Sequence, residues 1–114
     1  MSIEKEFVPY EESLELKELG FDEPCFAIYI DKQLQINATY QNHLAFKGWV
    51  ASPTFSQAFR WFRDNHNLHH EIEYNGYEYL GYVSGMTANI FKTYEEAELA
   101  CLRKLIEIVQ GGNK

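Results

Sequence analysis

The sequence predicts an α+β fold: a mainly antiparallel sheet of about four strands covered by three helices, in the order α-β-β-α-β-β-α. Three observations lead there. Thr54 with Gln57 and Thr93 with Glu96 match capping boxes, each opening a run whose apolar residues recur at helical spacing. Between them, residues 69–83 form two strand-like runs on either side of Asn75 and Gly76, a dipeptide that suits a two-residue hairpin turn. Residues 9–19 form a third helical run, bounded by Pro9 and Gly20.

At 114 residues, with 46% apolar and 16% aromatic content, the chain is expected to form one domain over 1–114 and to bury a core without staples. No segment approaches the ~20 apolar residues of a membrane span, and the first ten residues are too acidic and polar for a secretory signal. A cytoplasmic location is the simplest expectation. Cys25 and Cys101 lie far apart, outside any metal-binding spacing, and are read as free thiols. The net charge of −7 argues against nucleic-acid binding, which needs a basic face. Residues 1–23 hold eight acids against two lysines, so almost the whole imbalance sits in one segment.

In the first helix, Phe7, Tyr10 and Leu14, joined by Leu16 and Leu19, supply an apolar side, while Glu11, Glu15, Glu18 and Asp22 follow helical spacing on the other. Residues 25–30 read as a buried strand. After a polar turn at Asp31, Lys32 and Gln33, residues 34–40 alternate as a half-exposed one. Residues 41–53 read as a loop with a short strand around 46–50. The helix after Thr54 presents Phe55, Ala58, Phe59 and Phe62 on one face, widened by Trp61.

A two-residue turn at Asn75 and Gly76 would pair Glu73 with Glu78, and Ile72 with Tyr79. His70, Ile72, Tyr74, Tyr77 and Tyr79 would then share the face that packs under helices. Residues 84–92 read as a loop. The last helix carries Ala97, Cys101, Leu105 and Ile108 as its stripe and is expected to stop at Gly111 and Gly112.

Two runs carry a resemblance. Residues 53–62, PTFSQAFRWF, and 92–102, KTYEEAELACL, resemble segments of small proteins of bacteria and their phages. Their shared layout is a capped helix, two strands and a TxEEA-type helix, similar to the small phage ABA-sandwich domain. The resemblance covers about residues 50–110 and implies helices covering a central antiparallel sheet. It carries no activity and no catalytic residues.

Few groups suggest chemistry. His66, His69 and His70 with Glu71 and Glu73 are metal-ligating types, and a small metal-dependent hydrolase using the His and Glu residues of 66–78 is the alternative reading. The candidate ligands are His66, His69 and Glu71. Their spacing is poor, because the chain changes there from helix to strand. The facing pair Glu73 and Glu78 could share a proton or a cation. Tyr74, Tyr77, Tyr79 and Tyr82, with Trp49 and Trp61, could make an aromatic platform, although such binders pair aromatics with a basic groove. Phosphate-loop, dinucleotide, zinc-protease and nucleophile-elbow motifs are all absent from the sequence. The reading is therefore a non-enzymatic accessory or interaction protein, without a cofactor. Its expected partner is a basic protein held by Glu11, Glu15, Glu18 and Asp22. The oligomeric state is not legible.

Overall fold

The computed structural model describes residues 3–41, 48–86 and 89–112. The chain divides into two compact units, residues 1–58 and 59–114. The protein is α+β, and the described residues form three α-helices and two three-stranded antiparallel sheets rather than one sheet of about four strands. The expected strands fall two to each sheet, and each sheet is completed by a three-residue strand. One lies where only a loop with a short strand was expected, and the other lies inside the expected loop at 84–92.

In the first unit a 3-10 turn, Ile3–Glu6, leads to α1, Tyr10–Glu18. Pro9 takes the N-cap position with φ −59°, compatible with its ring. The helix ends in a Schellman motif. Gly20 sits at φ +104°, its N–H reaches the Lys17 carbonyl (3.1 Å), and the Phe21 N–H reaches the Leu16 carbonyl (3.0 Å). Leu16 and Phe21 are both buried, as that motif favours. The inner side of α1 is Glu12, Ser13 and Leu16, whereas Tyr10 and Leu14 are half-buried.

Strand β1, Cys25–Ile30, is central, with β2, Gln33–Gln41, on one side and β3, Val50–Ser52, on the other. Asp31 and Lys32 both have positive φ, 52° and 66°, and Ile30 pairs with Gln33. This is a two-residue turn whose twist matches the strands. A register shift interrupts the β1–β2 ladder between Cys25 and Ala27. The expected strand at 46–50 falls partly on residues outside those described.

Helix α2, Phe55–His66, crosses the unit boundary and follows the expected helix closely. Thr54 Oγ accepts from the Gln57 N–H at 3.2 Å, while the Gln57 carboxamide donates to Glu23 and the Pro24 carbonyl. Asn67, at φ +52°, turns the chain out of the helix.

In the second unit β4, His70–Tyr74, β5, Tyr79–Val83, and β6, Asn89–Phe91, form a meander, and α3, Tyr94–Gly112, packs on it. Thr93 and Glu96 exchange both capping bonds at 3.1 Å. Ala97, Cys101, Leu102, Leu105, Ile106 and Val109 are buried, so Ile106 takes the place expected of Ile108. The helix reaches Gly112, the last described residue.

Candidate functional site

The hairpin was expected to bring two carboxylates together, and its observed register separates them. Tyr74 pairs with Tyr79, Glu73 with Leu80, and Ile72 with Gly81. The loop is thus four residues, 75–78, not two. Asn75 causes the shift. Its side-chain oxygen accepts from the Tyr77 and Glu78 N–H groups at 2.9 and 2.8 Å, and its own N–H reaches the Glu78 carbonyl. That Asx-type closure holds the loop wider than the tight turn would. The register moves by two residues, so each strand keeps its faces, but Glu78 leaves the ladder for the loop.

The histidines do not assemble either. The His66 ring lies edge-on to Trp61, with centroids 5.0 Å apart. His69 donates its backbone N–H to Ser84 Oγ at 2.9 Å, and its ring meets the Asn67 carboxamide oxygen. His70 stacks on Phe59, with centroids 3.5 Å apart and planes 13° apart. Burial, helped by the Arg63 charge, pushes its pKa down to about 4. Glu71 is exposed on the strand face opposite His70. Among the described residues, no three His, Cys, Asp or Glu side chains come together as a metal would need.

Of the acids on α1, Glu11 and Glu18 are exposed and Glu15 is half-buried. Asp22 is exposed but lies beyond the Schellman turn, so it does not continue the helical line. The inner side of α1 holds a polar knot that no sequence pattern announced. The Val8 carbonyl accepts from Ser52 Oγ at 2.9 Å and from Ser13 Oγ and Tyr29 OH at 3.1 Å each. Burial raises the Tyr29 pKa; the Ser52 hydrogen bond opposes that rise and the nearby Glu12 charge adds to it. The hydroxyls point at a backbone oxygen rather than at a base, so the knot is an anchor and not a nucleophile's site.

The aromatic set divides. Trp61 is core, and Trp49 is half-buried in the first unit, its carbonyl accepting from Lys17 Nζ at 3.4 Å. Tyr82 lies on the outer face of the second sheet, where its hydroxyl donates to Glu73 at 3.4 Å. Carboxylate charge there, chiefly that of Glu73, raises its pKa. Tyr74 and Tyr79, cross-strand partners, have ring centroids 4.9 Å apart, and Tyr79 meets Tyr94 edge-on at 5.9 Å. Sequence reasoning missed Tyr94. Phe91 pairs with Tyr79 and only two residues separate it from Tyr94, but a three-residue strand shows no period by which the sequence could have announced that pairing.

A cavity of about 240 Å³ lies between α3 and the sheet, lined by Gly81, Val83, Phe91, Cys101 and Lys104 among others. It is smaller than the ~300–1,000 Å³ usual for ligand pockets. The Cys101 thiol there is buried, with its pKa pushed up to about 11; Cys25 in the first unit is pushed up to about 12, also by burial. Both cysteines are free, and neither is a poised thiolate. Among the described residues, no helix is long and apolar enough to cross a membrane. Comparison of the chain with protein-family models, curated proteins and solved structures returns no match.

Proposed function

We propose that this chain is a non-enzymatic accessory protein that binds a basic protein partner, with Glu11, Glu15, Glu18 and Asp22 as its contacts. The observation that carries this reading is the segregation of charge. Residues 1–23 hold a net charge of −6 out of −7, and on α1 Glu11 and Glu18 stand exposed with Glu15 between them. Such a surface speeds encounter with Lys- and Arg-bearing partners and disfavours acidic ones. A phage or prophage origin is part of the proposal and rests on the sequence resemblance of residues 50–110 alone, which carries no activity with it.

The test is titration of the protein with lysine- and arginine-rich peptides at rising salt, beside a Glu11→Lys/Glu15→Lys/Glu18→Lys variant. Binding that weakens with salt and loses affinity on charge reversal is the expected result. Peptide binding untouched by the reversal removes α1 as the contact.

A further inference from the structure

We infer that the Tyr74–Tyr79–Tyr94 ridge of the second unit is a docking surface for an arginine-bearing protein segment, which lays its guanidinium against the exposed tyrosine rings. This rests on the reading of the chain as an interaction protein, but it uses a different surface from α1 and a different kind of contact.

The ridge is assembled by three elements. Tyr74 ends β4, Tyr79 begins β5 and Tyr94 begins α3, and the three rings form one contact series. The middle ring, Tyr79, is half-buried. The outer two are 59% and 43% exposed, and Tyr77 at the hairpin tip is 89% exposed. The ridge is also held in place. The Tyr74 hydroxyl donates to the Gly76 carbonyl at 3.0 Å, the Asn75 carboxamide braces the loop, and Tyr94 follows the reciprocal Thr93–Glu96 cap. Large rings held in one place lose little entropy on binding, which is why tyrosine recurs where interfaces concentrate their energy.

Charge selects the occupant. Residues 74–79 and 92–98 hold Glu78, Glu95, Glu96 and Glu98 against Lys92 alone. Tyrosine faces carry negative potential, and the acids that flank them along the chain add to it. A cation is therefore favoured, and arginine most of all, because its planar, weakly hydrated guanidinium stacks on rings. A nucleic-acid strand would also offer planar groups to stack, but its phosphates meet these acids. A second copy of this chain would bring two such acidic surrounds against each other.

The experiment uses the full chain with selectively labelled tyrosine ring carbons. It is titrated with an arginine-containing peptide, the matched peptide with citrulline in place of arginine, and a thymidine oligonucleotide. The expected result is that the arginine peptide alone shifts the Tyr74 and Tyr94 ring signals. Tyr74→Leu and Tyr94→Leu should each weaken it about two- to fivefold, the worth of one exposed cation–ring contact, while the phenylalanine variants keep it. Charge reversal on α1 should leave these ring shifts in place. Equal shifts with citrulline or with the oligonucleotide overturn the inference. So does wild-type affinity in Tyr74→Leu and Tyr94→Leu, or ring shifts that track protein concentration and so report self-association. Peptide binding lost on α1 reversal but unchanged in the tyrosine variants upholds the α1 reading and overturns this one.

Discussion

Acidification should destabilise this protein through His70 before its carboxylates are protonated. The ring stacks flat on Phe59, and burial, with Arg63 adding its charge, lowers its pKa from 6.5 to about 4. In the unfolded chain the same imidazole gains its proton near 6.5. As pH falls below that value the unfolded state binds a proton that the folded state refuses. The stabilisation is thus complete above pH 6.5 and is lost as pH falls towards 4. The full separation would correspond to about 3 kcal/mol. Two effects reduce it. The ring is only half-buried, so solvent screens part of the charge, and the Phe59 face attracts an imidazolium by about 0.5–1 kcal/mol. A loss of about 1–2 kcal/mol remains. Urea unfolding of the wild type and of His70→Phe, at steps from about pH 7.5 to about pH 4.5, isolates it, because every other titrating group cancels in the difference. The advantage of the wild type over the variant should shrink by that amount as the pH drops. A difference that stays constant across the window, or a His70 ring that titrates near 6.5 by NMR, refutes the reasoning.

Three further outcomes follow from the packing. Asn75→Ala removes the acceptor for two backbone N–H groups in the hairpin loop and should cost about 1 kcal/mol in urea unfolding, since water reaches the freed donors; an unchanged midpoint would mean that the loop closes without it. A Cβ at Gly81 would lie 3.0 Å from Cys101 Sγ and 3.4 Å from the Phe91 ring, so Gly81→Val should destabilise by about 1–3 kcal/mol. Much of that penalty should vanish in a Cys101→Ala background, and strict additivity in the cycle would place the strain elsewhere. Ser52→Ala should cost only about 0.5–1 kcal/mol, because the Val8 carbonyl keeps Ser13 and Tyr29, and Ser13→Ala should cost more in that background than alone.

Much of the helical framework was legible because its signals are local. Thr54 and Thr93 announce α2 and α3 with their own side chains, and the Pro9 and Gly20 bounds on α1 are read from single residues. The second unit's strand faces were legible too, since a register error of two residues preserves alternation. What failed was the choice between turns. Asn75 and Gly76 look like the tight turn, yet the Asn75 carboxamide closes a wider loop. The two-residue turn with both residues at positive φ is built instead from Asp31 and Lys32, where no glycine advertises it. Strands β3 and β6 were hidden because three residues cannot show a period; they exist by pairing with longer neighbours. The tyrosine ridge was half visible for the same reason. Tyr74 and Tyr79 are hairpin residues, but Tyr94 joins them only through the tertiary packing of α3. The Val8 knot had no signal, since it joins residues up to 44 positions apart around one backbone oxygen.

That knot also bears on the order in which the first unit assembles. Its three hydroxyls come from 5, 21 and 44 residues along the chain, and the Val8 N–H is bound by the Pro53 carbonyl at 2.9 Å. One peptide group is therefore shared by a helix, a central strand and an edge strand. Distant partners reward the chain only after the loops between them have closed. The segment at Val8 thus docks last, onto strands already paired, and acts as a latch rather than a seed. Once closed, it resists opening piece by piece, because releasing Val8 strands all its donors together. Undocking is then the first step of unfolding, and the Val8 amide hydrogen should exchange with solvent before the β1–β2 ladder opens.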